Sequence, residues 1–244
     1  MKVILKIIAI FTTILVVSFQ KRTITIFMAG DSTMSIKAAD KRPETGWGMP
    51  FATMFNETVV VDNRAANGRS TKSFVAEGKW KGIIDNVQEG DYVFIQFCHN
   101  DQPKEKKTHT TPEEFKTNLE NFVIEVRSKK GIPVLLTPVA RRRFDKDGKL
   151  VDTHFDYPDL VRQVAKEKEV LFIDMLKKTE QLLGKLGKDE SVKLFNHLDS
   201  AQHVNYPKGI KDDTHLNEYG AKLFAELAKE GIKELNIELS NRLK

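Results

Sequence analysis

The chain has 244 residues, of which 40% are hydrophobic and 30% charged, and its formal net charge is +5. This balance suits a globular protein with enough apolar residues to bury a substantial core, and its slight basicity does not call for nucleic acid as a partner. A single cysteine, Cys98, excludes an intramolecular disulfide and any cysteine-based zinc knuckle, and the six histidines contain no HExxH pair.

Residues 1–22 read as a secretory signal peptide: Lys2 and Lys6, then an apolar run over 7–17. The run is shorter than the about 20 residues a membrane span needs. Cleavage between Ser18 and Arg22 is expected, with no stable membrane association afterwards and a periplasmic or extracellular destination. An uncleaved anchor is the alternative. Without Lys2 and Lys6 the balance is 37 basic to 34 acidic residues, or +3.

Residues 23–244 form the predicted domain. Its first strand, from Thr23, ends abruptly at Gly30, Asp31, Ser32 and Thr33. Small polar residues at the carboxyl end of a buried strand stand where open α/β sheets bind ligands. A hydroxyl at such a turn lies beside free backbone N–H groups, the setting an acyl-transfer nucleophile needs, although Asp, Ser and Thr are equally good helix caps. A short helix is predicted near 48–55, a β-branched strand over 58–62, and a polar turn over 63–70 with Asn67 and Gly68. A helix follows from about 71 to 77. The strand over 91–97 runs into Cys98, His99, Asn100 and Asp101. Thr111, Pro112, Glu113 and Glu114 mark a strong helix start, and Phe115, Leu119, Phe122, Val123 and Val126 recur at helical spacing. Strands over 133–137 and 170–174 and helices over 158–168, 175–186 and 216–232 complete the alternation. The basic triplet Arg141, Arg142 and Arg143 follows the fourth strand and falls on the ligand-bearing edge.

Alternating strands and helices without a linker or repeat predict one α/β domain, three-layer and doubly wound, with a parallel sheet of about five strands. Three strand ends then offer Ser32, the backbone at Gly68, and Asn100 along one edge. A fourth piece, Asp212, Asp213, Thr214 and His215, precedes the last helix. A carboxylate there can hold the His215 tautomer while the other ring nitrogen faces a serine, and the same cluster can also be only a helix cap.

The ordered set Gly30-Asp31-Ser32-Thr33, Asn63 with Ala66-Asn67-Gly68-Arg69-Ser70, His99-Asn100-Asp101, and Asp212-x-x-His215 resembles the SGNH (GDSL-like) hydrolase superfamily, and within it the rhamnogalacturonan acetylesterase family. The segment over 152–158 is similar to one in the acetylesterase branch. The resemblance covers nearly all of residues 23–244. It implies a flavodoxin-like fold, Ser32 as nucleophile, His215 as base and then acid, and Asp212 as the group orienting His215. It also implies an oxyanion hole from the N–H groups of Ser32 and Gly68 and the Asn100 amide. It implies a secreted, monomeric esterase without cofactor or metal, acting on an acetylated polysaccharide of the pectin type, or on xylan or a cell-wall polymer. The residues alone leave Asp213 open as the partner of His215. Trp47, His99, Arg141, His154 and Phe155 are the candidate sugar contacts. Cys98 departs from the family, which usually has glycine there, and a side chain at that point can crowd the oxyanion hole.

Two other functions fit parts of the pattern. Asp31, His99, Asp101, Asp213 and His215 can all ligate metals, as in two-metal phosphoesterases. A non-catalytic glycan-binding module on the same fold is the other.

Overall fold

The structure, a computed structural model, describes residues 22–244, so the predicted leader lies outside the described residues except for Arg22. Strands β1 (Ile24–Gly30), β2 (Val59–Asn63), β3 (Tyr92–Gln96), β4 (Ile132–Leu136) and β5 (Leu171–Ile173) form one sheet in the order β2-β1-β3-β4-β5. All four pairings are parallel. The doubly wound α/β expectation is met, and β1 lies inside the sheet with its loop flanked by those of β2 and β3.

Alternation along β1 explains the two outer layers. Ile26 and Met28 join a core with α1 (Gly48–Phe51), α6 (Met175–Ser191) and α7 (Glu218–Leu235). Phe27 and Ala29 join the opposite core, with α2 (Thr71–Ala76), α3 (Lys79–Ile84), α4 (Pro112–Ser128) and α5 (Tyr157–Glu167). The start of α4 is a full capping box: Thr111 accepts from the Glu114 N–H while the Glu114 carboxylate accepts from the Thr111 N–H. Among the described residues no helix is long and apolar enough to cross a membrane.

Three features depart from the sequence expectation. Helix α3 is too short for its period to stand out, and it starts beside Gly78, whose φ is +71°. Helix α6 runs past residue 186 to Ser191, with a break at Gly187 (φ 71°, ψ 179°). A two-stranded antiparallel sheet, β6 (Phe195–Leu198) with β7 (Ile210–Leu216), stands apart from the main sheet. Its polar residues Asn196, His197, Lys211, Asp212 and Asp213 hide the alternation by which strands are read.

This hairpin carries the C-terminal motif. Phe195 pairs with Leu216 but Asn196 pairs with Asp212, so residues 213–215 are an insertion bulging out of β7. Helix α7 anchors the chain beyond the bulge. The Asn217 side chain caps it by accepting from the Gly220 N–H, and donates to the Lys193 and Phe195 carbonyls. At Gly220 the helix meets the Leu194 carbonyl so closely that an added Cβ would lie 2.0 Å from its oxygen. Gly220→Ala is therefore expected to destabilise the protein by about 1–3 kcal/mol, the range for overpacking, measured by urea denaturation, with a displacement of the His215 segment. A variant as stable as wild type would mean that α7 can slide here.

Candidate active site

β1 ends at Gly30, and the chain turns at once. The buried Asp31 carboxylate accepts from the Thr33 N–H (2.9 Å), the Thr33 hydroxyl (2.8 Å) and His99 Nδ1 (3.2 Å). Burial opposes its charge, but these donors outweigh burial and hold its pKa well below the usual carboxylate range. The turn presents Ser32, which is 9% exposed. Its Oγ lies 2.9 Å from His215 Nε2, and His215 Nδ1 lies 2.7 Å from Asp212 Oδ2.

The bulge in β7 makes this alignment. Asp212 Oδ1 accepts from the Thr214 and His215 N–H groups at 2.8 and 2.9 Å, folding the strand back over its own carboxylate. Burial alone would raise the Asp212 pKa; the hydrogen bonds from His215 and the backbone reverse that and lower it to about 2. Asp212 is thus held as a carboxylate and accepts a hydrogen bond from the His215 Nδ1–H, leaving Nε2 to accept from the Ser32 hydroxyl. Asp213 faces away, paired with Arg142 Nη1 (2.7 Å) and His197 Nε2 (2.8 Å). Of the two carboxylates the sequence left open, Asp212 and not Asp213 contacts His215.

Two other strand ends complete the site. Gly68 has φ +74°, a conformation other residues enter with strain. Among the described residues neither the Ser32 nor the Gly68 N–H donates to a protein acceptor. Asn100 donates one amide hydrogen to the Arg69 carbonyl (3.2 Å) and accepts from Lys106 Nζ (2.8 Å), which leaves its second amide hydrogen free. The loop before Gly68 is held from beneath: Asn67 Oδ1 accepts from the Ser35 hydroxyl (2.6 Å) and from Lys37 Nζ (2.7 Å), a buried ammonium paired with Glu44. Nothing local in the sequence marks Lys37 as buried. A serine hydroxyl with a base at hydrogen-bond distance, beside free N–H donors, can add to an ester carbonyl and stabilise the resulting oxyanion.

A family model described as the GDSL-like lipase/acylhydrolase family matches residues 28–223. The chain belongs to that family. It is an ester hydrolase. The rhamnogalacturonan acetylesterase RhgT of Bacillus subtilis (strain 168) is 43% identical over 92% of this chain and 96% of its own length. The probable rhamnogalacturonan acetylesterase YesY of the same organism is 33% identical over 89% of this chain and 96% of its own. Among solved structures, Axe2, an acetylxylan esterase from Geobacillus stearothermophilus, shares the fold with a TM-score of 0.62 at 19% identity, covering 89% of this chain and 96% of that one.

Three of the expected sugar contacts of the esterase are buried instead. Trp47 is 0% exposed; its indole N–H donates to Gln96 Oε1 (2.9 Å), and its ring packs edge-on against Phe51. His99 and His154 are 4% and 1% exposed and stand with their Nε2 atoms 3.4 Å apart, behind the serine turn. Burial lowers both imidazole pKa values. Neutral His99 donates from Nδ1 to Asp31, so its Nε2 accepts from His154. These side chains build the floor of the site and have no face to offer a sugar. Phe155 is the opposite, 66% exposed, with a φ of +50° that costs a non-glycine residue about 1 kcal/mol or more. It stands with Arg141 between a cavity of about 410 Å³ that includes Thr214 and one of about 1100 Å³ that includes His109 and Tyr157.

Among the described residues no three of the candidate metal ligands come together as a metal site. Asp31 is committed to His99 and Thr33, Asp213 to Arg142 and His197, and His215 to Asp212 and Ser32. Cys98 is fully buried, with φ +151°, so a residue with a side chain occupies backbone space that favours glycine; burial raises its thiol pKa well above the usual value. Asp101 has a separate task. Its Oδ1 accepts from the Thr71 N–H (2.9 Å), the Thr71 hydroxyl (2.6 Å) and the Thr110 hydroxyl (3.1 Å), while its buried Oδ2 has no partner.

Burial raises the Asp101 pKa to about 7, against those hydrogen bonds. A folded pKa above the unfolded value of about 3.9 means that the native state holds a proton that the unfolded state releases, so this stability is complete below pH ~4 and is lost as pH rises through 7. The slope is about 1.4 kcal/mol per pH unit in that window. Urea denaturation of wild type and Asp101→Asn at pH 5 and pH 8 is expected to show the wild type losing about 2–3 kcal/mol more than the variant. Parallel pH dependence in both would show that Asp101 is ionised throughout.

Proposed function

We propose that this esterase removes O-acetyl groups from a pectin-type polysaccharide, rhamnogalacturonan first among them, through an acetyl-enzyme on Ser32. The observation that carries the mechanism is the continuous contact from Ser32 Oγ through His215 to Asp212, beside two backbone N–H groups with no acceptor of their own. The substrate class rests on similarity to RhgT along nearly the whole of both chains. The basic and apolar start of the sequence supports a destination outside the cytoplasm, where such a polymer is met.

In this mechanism Ser32 Oγ attacks the acetyl carbonyl carbon as its proton passes to His215 Nε2. The carbonyl oxygen becomes an oxyanion that receives hydrogen bonds from the Ser32 and Gly68 N–H groups and the free Asn100 amide hydrogen. The ionised Asp212 stabilises the imidazolium without taking its proton. Collapse breaks the bond to the sugar oxygen, which leaves with the proton from His215. A water then gives its proton to His215 and attacks the acetyl-serine; His215 returns that proton to Ser32 Oγ as acetate departs. No step requires a metal or a cofactor. The exposed Phe155 ring supplies an apolar face, between the two cavities it lines, on which a sugar ring can stack.

Acetate release from acetylated rhamnogalacturonan, homogalacturonan and xylan tests this. Wild type is expected to act on rhamnogalacturonan, Ser32→Ala to release none above background, and Asn100→Ala to lose about a hundredfold to a thousandfold in kcat with little change in KM. Equal release by wild type and Ser32→Ala would rule out the serine mechanism. Release from xylan alone would keep the mechanism and change the substrate.

A further inference from the structure

The triplet Arg141, Arg142 and Arg143 divides into three different environments. Arg142 is a structural residue, engaged by Asp213, Ser191 Oγ and the Lys188 carbonyl. Arg143 is exposed at the rim. Arg141 is half-buried, and among the described residues no carboxylate forms an ion pair with it. Among the described residues its guanidinium donates one hydrogen bond, from Nη1 to the Thr153 carbonyl (2.8 Å), which leaves most of its donors unused. It lines both cavities that meet at Phe155. Asp31 and Asp152 favour its charge through space without touching it: Asp31 accepts from His99 and Thr33, and Asp152 Oδ1 accepts from the His154 N–H.

A partly buried guanidinium with no carboxylate in its fork has donors left unmet, and a carboxylate that arrives there meets them. We propose that Arg141 is a specificity-determining residue that binds the carboxylate of a uronic acid residue in the glycan, with Phe155 stacking beneath the same or the adjoining sugar. The site thereby selects acetylated polyuronates over acetylated neutral glycans. This deepens the polysaccharide reading above and rests on it only for which ester is cleaved. The Thr153 contact gives Arg141 a fixed aim, because it ties the guanidinium to the segment that ends in Phe155.

The test compares acetylated rhamnogalacturonan in its free-acid form and after methyl esterification of its carboxyl groups, which removes the charge and leaves the acetyl groups. Wild type is expected to favour the free acid about tenfold or more in kcat/KM, chiefly through KM. Raised salt should narrow the difference. Arg141→Gln is expected to bring the two forms to within about twofold of each other, and Arg141→Lys to retain part of the preference. Equal rates of wild type on both forms, or an unchanged ratio in Arg141→Gln, would overturn the assignment. A second measurement does not need the polymer to be a substrate: inhibition of 4-nitrophenyl acetate hydrolysis by galacturonate oligomers. Competitive inhibition that weakens about tenfold in Arg141→Gln supports the site even if no acetylated polymer is cleaved. Absence of inhibition in wild type rejects it while leaving the serine mechanism standing.

Discussion

The buried carboxylate of Asp31 is the constraint on which the site depends. It sits at the carboxyl end of β1 with no exposed surface, so every lone pair it carries must be met from within. Thr33 meets it from the serine turn and His99 from the loop after β3. The two strand ends are thus fastened to one ion, and Ser32 and Asn100, which flank those fastenings in sequence, are brought to the same edge. Asp101 extends the fastening to the start of α2, and Lys37 and Ser35 hold Asn67 beside Gly68. A hole for an oxyanion needs donors that are already in place and have no partner of their own. In the proposed hole, polar groups under the loops, rather than the loops themselves, hold the donors.

The backbone architecture was legible because its signals are local. β1, β3 and β4 read as apolar runs because both of their faces are covered, and Thr111 with Pro112 and Glu114 announces α4 through a capping box that forms as written. The strand ends carrying Ser32, Gly68 and Asn100 follow from the same pattern. The direction of individual side chains could not be read in the same way. Trp47 has the composition of a sugar platform but turns into the core, where Gln96 takes its indole hydrogen. His99 and His154 resemble surface ligands but face each other beneath the serine. Such choices depend on packing between elements far apart in sequence, which spacing does not encode.

The C-terminal motif shows the same limit in a sharper form. Asp212 and Asp213 are neighbours with identical chemistry, and only the pairing of β6 with β7 separates them. Because residues 213–215 bulge from the ladder, Asp212 turns back toward His215 while Asp213 meets Arg142 and His197. A strand without the bulge would place alternate residues on opposite faces, and Asp212 and His215, three apart, could not meet. The irregularity that hides β7 from a reading of periodicity is what brings Asp212 and His215 together.

Cys98 turns the centre of the molecule into its own reporter. It is the sole thiol, it lies fully buried, and it stands directly before His99, which is bonded to the serine turn, and Asn100. A thiol reagent in solution meets it only when the layer over the β3 loop opens. The rate of its alkylation therefore measures how often the heart of the site breathes, separately from the fraying of any surface loop. Substrates that hold the layer closed slow that clock, and loosened variants quicken it while their folds remain intact.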